Sequence, residues 1–296
     1  MLPTILSIAS AMALSAAPTP KFDSLDDINN TDPDNRGQPN FHKILEILGK
    51  TCLRPGGRAA TEKLIQSSGL TSDHRLLELS AGLGKTGILF AQTTGCQVLI
   101  TDRDDDRLEQ AKKTIKCDSM LPSSRIETRA MDMFDIDGVL GVDSHFDSAI
   151  TEASLTHYPL HMKKQFFRNL GPHTDQYLLH EICYKSNEES VQMQVQEDMQ
   201  KVLKIGFYPE TKETWIALMK ESGFDNIREC EVGDIGILNP SSLLRDEGLK
   251  GVARIAKNIV THPYARSRVF ATRKALSAHR KDLGYIIICA DKKDGQ

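Results

Sequence analysis

The sequence predicts an α/β protein, a doubly wound and mainly parallel sheet covered by helices, and three observations carry that expectation. From Leu70 onward, short apolar runs alternate with helical patterns, which is the signature of a parallel sheet with crossover helices. The stretch Arg75-Leu76-Leu77-Glu78-Leu79-Ser80-Ala81-Gly82-Leu83-Gly84-Lys85-Thr86-Gly87 starts as a strand, turns on small residues and continues as a helix near Lys85. Acids then follow four successive strands (Glu78, Asp102, Asp132 and Glu152), at the edge where open α/β sheets bind ligands.

The bulk numbers bound the answer. A chain of 296 residues suits one large α/β domain with a cap. A net charge of −3 and 6% aromatic residues argue against a nucleic-acid field or a base-stacking surface. The six cysteines include no CxxC pair and no zinc-finger spacing, so no metal is expected and a reducing compartment fits. No run reaches the roughly 18 apolar residues of a membrane span. Residues 1–20 are uncharged and end in small residues, but lack the basic start of a secretory signal and the arginines of a transit peptide. They read as a disordered leader in a cytoplasmic protein, with a cleaved targeting segment to an organelle or the exterior as the alternative. Residues 17–40 are rich in Pro, Asp and Asn and read as linker, so the leader is 1–40 and the single folded domain is 41–296.

The elements follow in order. Phe41, Ile44, Leu45 and Leu48 keep helical spacing. Pro55-Gly56-Gly57 forces a turn, and a second helix over about 58–68 stops at Gly69. Strands are expected at about 75–80, 97–101, 126–130, 146–151 and 177–183, with helices at about 85–94, 104–116 and 160–169. The second half has helices at about 187–204 and 211–222, a strand at 227–232, a helical insertion at about 241–281 and a final strand at 285–290. The segments 41–69 and about 236–284 are expected to form a helical cap.

Three ligands suit a strand that ends on glycines at a helix N-terminus. A nucleoside triphosphate needs GxxxxGK[ST], and Leu79 stands where its first glycine belongs. A nicotinamide dinucleotide fits the literal Gly82-x-Gly84-x-x-Gly87 and Asp102. S-adenosylmethionine (SAM) fits more residues. Leu76-Leu77-Glu78-Leu79-Ser80-Ala81-Gly82-Leu83-Gly84 resembles motif I of the class I Rossmann-like SAM-dependent methyltransferases, hh[DE]hGxGxG, with Ser80 in the first glycine's place. Serine disfavours positive φ, so the turn is expected to differ slightly there.

The resemblance implies a seven-stranded sheet, SAM as cofactor and a set of cofactor contacts. Glu78 would lie near the positive amine of the methionine part, in a turn formed by Ser80, Gly82 and Gly84. Asp102, with Arg103 beside it, would accept from the ribose hydroxyls. Asp132 would accept from the adenine amine with Met133 or Phe134 against the ring, and Glu152 would face both cofactor and substrate. His157 and Tyr158, in the next loop, are the catalytic candidates; Tyr158 and Arg54 are the substrate-binding candidates, Arg54 for a carboxylate. The implied reaction is methyl transfer to a small-molecule acceptor with an O, N or S nucleophile. No nucleic-acid or membrane partner is expected, and the chain would be a monomer or homodimer. Two rival functions remain, an NAD(P)-dependent oxidoreductase and a non-catalytic Rossmann-like binding protein. The basic insertion reads as a nucleic-acid surface, a lid, or a solvated helical face.

Overall fold

A computed structural model describes residues 39–117 and 123–292; the expected leader lies outside the described residues except for its last two. The helix α1 (Phe41–Ile47) starts where Asn40 Oδ1 accepts from the Lys43 N–H at 2.9 Å, an N-cap in the usual sense. A strap over residues 48–56 leads to α2 (Gly57–Ser68). Then come β1 (Arg75–Leu79), α3 (Lys85–Thr94), β2 (Gln97–Asp102), α4 (Asp105–Cys117) and β3 (Ile126–Ala130). A short α5 (Ile136–Leu140) precedes β4 (Phe146–Glu152), α6 (Leu160–Leu170) and β5 (Thr174–Tyr184). The second half holds α7 (Glu189–Leu203), the two-residue β6 (Glu210–Thr211), α8 (Lys212–Glu221) and β7 (Asn226–Gly233). The chain closes with α9 (Pro240–Thr261), α10 (Pro263–Ala278) and β8 (Leu283–Asp291).

The sheet order is β3-β2-β1-β4-β5-β8-β7, with β6 paired to β5. The pairs among β1 to β6 are parallel, and β8 runs antiparallel to both β5 and β7. Two apolar layers fill the two faces. Phe166, Phe167, Leu170, Trp215 and Met219 cover one face from α6 and α8. Leu64, Ile65, Ile88, Phe90, Leu108 and Ile115 cover the other from α2, α3 and α4. A third cluster, including Phe41, Leu45, Val195, Met199 and Val269, packs α1, α7 and α10 together as a cap.

Two backbone features shape the central turn. Gly87 sits so close to β1 and β2 that an added Cβ would lie 2.5 Å from Glu78 Oε2 and 2.8 Å from Val98 Cγ1, so only glycine lets α3 rest against the sheet here. Ser80 adopts φ 55°, in the left-handed region, so the serine takes up the positive φ that its residue type disfavours. Ala153, at the end of β4, does the same at φ 52°. A left-handed L-residue costs roughly 1–2 kcal/mol, and glycine's extra unfolded freedom gives part of that back. Ser80→Gly is therefore expected to raise stability by about 0.5–1 kcal/mol in denaturant unfolding, and a loss of stability would show that the hydroxyl has a structural partner.

Candidate functional site

The C-terminal ends of β1, β2 and β4 stand side by side, because Leu79 is in register with Thr151 and Glu78 with Ile100. Above them opens a cavity of about 490 Å³, in the size range of small-molecule sites. Its floor is Glu78 to Leu83 with Asp102, Arg103 and Glu152; its walls are Ser154, His157 and Tyr158; its roof is α1 and the strap, through His42, Glu46, Thr51, Leu53 and Arg54.

Each expected residue has a definite place. The Asp102 carboxylate accepts from the Gly82 N–H at 2.7 Å and from the Asp104 N–H at 2.9 Å, which fixes it at the cavity edge with lone pairs left for hydroxyl donors. Gly84, Asp132 and Met133 fall outside the lining. Gly84 closes the turn against Ile100 and Ala111, and its φ of 65° is what the turn needs. Asp132 is exposed and caps the Phe134 N–H at 3.0 Å. Met133 is buried in the core, so its thioether packs under the sheet edge and is not turned to the cavity. Phe134 instead meets Tyr158 edge to face at 4.9 Å.

The inner end is a network on one carboxylate. Glu152 Oε1 accepts from Thr61 Oγ1 at 2.7 Å and from His180 Nδ1 at 2.9 Å. Its Oε2 accepts from Thr86 Oγ1 and lies 3.2 Å from Arg54 Nε. Burial alone would raise its pKa, but Arg54 and the donors outweigh it and hold Glu152 at about 2. Glu78 goes the other way. Only 4% exposed, it accepts from the Gly87 N–H at 2.8 Å, yet burial and the neighbouring Glu152 push its pKa up to about 8. Arg54 is thus an ionic partner of Glu152, with Nε 3.2 Å from the carboxylate, and that buried Nε makes no hydrogen bond among the described residues. Ser154 Oγ, buried in the wall, also has no hydrogen-bond partner there. A zwitterionic ligand with an ammonium near Glu78 and a carboxylate near Arg54 suits these groups.

His157 is held from several sides. Its Nδ1 lies 2.7 Å from the Gly206 carbonyl, which can only accept, so Nδ1 carries the proton and Nε2 is a bare lone pair. Burial lowers its pKa below the ordinary 6.5, so the ring is neutral near pH 7. The loop before it hangs on Glu181, which accepts from the N–H groups of Ser154, Leu155 and Thr156 at 2.9–3.0 Å and from Thr156 Oγ1 at 2.7 Å. His42, from α1, meets the His157 ring edge to face at 5.1 Å, and burial and His157 lower its own pKa to about 3. Tyr158 is raised by burial and stays a donor.

Sequence reading passed over His42, Thr61, Thr86, His180 and Glu181. An acid inside the apolar run Tyr177–Cys183 is the same signal that singled out Glu78, so Glu181 was discoverable. His42 lies beside an amphipathic stripe and carries no such signal.

A lysine methyltransferase family matches residues 58–145. An uncharacterized protein of Haemophilus influenzae is 31% identical over 259 residues, covering 85% of this chain and 97% of that one. Among solved structures, a SAM-dependent methyltransferase of Thiobacillus denitrificans in complex with S-adenosyl-L-homocysteine is similar with TM-score 0.61 at 16% identity, covering 86% of this chain and 99% of that one. One of Geobacter sulfurreducens, in complex with the same compound, gives TM-score 0.61 at 14% identity, covering 85% and 98%.

The raised Glu78 has a measurable consequence. At neutral pH its carboxyl is mostly protonated, and a cationic amine beside it favours the charged form, so binding releases a proton. S-adenosylhomocysteine affinity is expected to rise as pH climbs from 6 to about 8, with proton release seen by calorimetry in buffers of different ionisation heat. In Glu78→Gln both the rise and the proton release should vanish; an unchanged pH dependence would remove Glu78 from the amine.

Proposed function

We propose that this SAM-dependent methyltransferase, which belongs to one family with the Haemophilus influenzae protein, transfers the methyl group to a small-molecule acceptor bound beneath its helical cap. The observation that carries this reading is the roof: α1 and the strap close a cavity of about 490 Å³ over the strand ends, with the half-buried, neutral imidazole of His157 in its wall.

The cofactor-binding residues of this reading are Glu78, the Ser80–Gly82 turn, Asp102, Arg103 and Glu152. Bound SAM supplies an electrophilic methyl on a good leaving group, so no acid is needed at sulfur. The chain's own work is alignment, exclusion of water and removal of one proton from the acceptor. His157 Nε2 is the proton acceptor, and the carbonyl of Gly206 steadies the imidazolium that results. Tyr158 O–H is a donor that orients the acceptor's polar group. His42, Leu53 and Ile205 close the space around it. The roof formed by α1 and the strap leaves room for a compact acceptor and favours a small molecule.

A second reading takes its support from the lysine methyltransferase match. A lysine side chain also needs a base, and His157 would serve it. The match ends at residue 145, before the 152–158 loop and without α1 or the insertion, so the parts that choose an acceptor lie outside it.

The test is labelled SAM with a cell extract separated into metabolites and proteins. Label should enter the metabolite fraction and fall by about 10²-fold or more in His157→Ala, while S-adenosylhomocysteine binding by calorimetry stays as in the native chain. Label in methyllysine establishes the protein acceptor instead. No transfer to either fraction, with binding intact, makes the chain a binding protein.

A further inference from the structure

The cap has an outer face that the site does not use. Beyond the break at Gly248 (φ 66°), α9 carries Leu249, Ala253, Ala256 and Val260 at i, i+4, i+7 and i+11, and all four are exposed. Leu249 is 78% and Val260 69% exposed. The spacing makes one straight apolar stripe about 16 Å long. Lys250 and Lys257 lie directly beside it, with Arg254 between them donating to the Gly49 carbonyl, while Gly251 and Ile255 fill the buried side of the helix. On α10, which packs against α9, Phe270 is 55% exposed among Arg266, Arg273 and Lys274, all exposed.

The charge on this face is one-sided. No Asp or Glu stands between Gly248 and Lys281, in a chain whose net charge is −3. Lys250, Lys257, Arg273 and Lys274 make no ion pair among the described residues. The two nearest acids of α9 are turned inward. Glu247 accepts from the N–H groups of Thr51 and Cys52, and Asp246 from the N–H of Arg58.

We propose that this face of α9 and α10 docks on the surface of an anionic phospholipid membrane. An aliphatic stripe with Lys and Arg along its flank, lying on a helix whose opposite side is already packed, is the arrangement of a helix that rests in the headgroup region. The stripe enters the acyl boundary and the cations meet lipid phosphates. A second copy of the chain would set like charges against each other. A nucleic acid would leave the aliphatic stripe without a partner and finds a single aromatic ring, Phe270, to stack on. The inference is independent of the acceptor reading, since none of these side chains lines the cavity.

The test is flotation of the full chain with vesicles of phosphatidylcholine alone and of phosphatidylcholine mixed equally with phosphatidylglycerol. The chain should float with the anionic vesicles only and be released as salt rises. Each basic residue at such a surface is worth roughly fivefold in binding, so Lys257→Glu with Lys274→Glu should lower vesicle binding by at least tenfold. Leu249→Ser with Phe270→Ser should lower it with the charges intact. S-adenosylhomocysteine binding, unchanged in both variants, shows that they fold. Absence of flotation, equal flotation with neutral vesicles, or flotation indifferent to both pairs of substitutions overturns the proposal. So does binding to duplex DNA or RNA that the lysine reversals abolish while vesicles are ignored.

Discussion

The Glu152 carboxylate is the interaction on which the site depends. It ends β4, yet its partners come from four other elements: Arg54 from the strap, Thr61 from α2, Thr86 from α3 and His180 from β5. A buried carboxylate is costly unless its lone pairs are filled, and here they are filled by groups that are themselves buried. Removing it would strand a guanidinium and an imidazole at the inner end of the cavity. Breaking such a buried pair generally costs about 3–5 kcal/mol. The arrangement therefore fixes the roof to the sheet and sets the charge of the cavity in the same stroke.

That charge decides how Glu78 behaves. Two acids stand close together at the inner end, and one cation, Arg54, is near enough to serve them. Arg54 lies against Glu152, so Glu152 keeps its charge and Glu78 keeps its proton. Environments that push two carboxyls apart in this way divide their roles. Glu152 holds the structure, and Glu78 is left to respond to what enters. The same economy recurs at Glu181, where three backbone N–H groups and a hydroxyl converge on one acid to hold the loop that ends in His157.

The fold was legible because its signals are local. Short continuous apolar runs, glycine stops and the strand–turn–helix at Leu76–Gly87 are written within a few residues, and the element boundaries follow them closely. β6 and α5 escaped notice because two and five residues are too few for a periodicity. The cofactor turn was legible for the same reason, although Ser80 takes a left-handed conformation that its residue type disfavours. The neighbours on either side over-determine its conformation, so a residue preference worth about 1–2 kcal/mol is overridden.

The sequence suggested a cap over 41–69 and about 236–284, but the contacts that hold the roof were not legible, because they join residues about two hundred positions apart. The strap that carries Arg54 is bound by one face of α9. Asn258 Nδ2 donates to the Leu48 carbonyl, Arg254 Nη2 to the Gly49 carbonyl, and Glu247 accepts from Thr51 and Cys52. At its other end, Glu46 of α1 pairs with Arg107 of α4 at 2.9 Å, across the cavity mouth. Read as a string, Glu247, Arg254 and Asn258 are polar residues of a helical insertion and look like solvated surface. Folded, they hold the segment that brings His42 and Arg54 over the β-strand ends. The insertion therefore works on the site through the strap and never touches the cavity itself. A sequence motif can locate the cofactor's turn, but the acceptor's space is defined by helices that meet only after the sheet between them has formed.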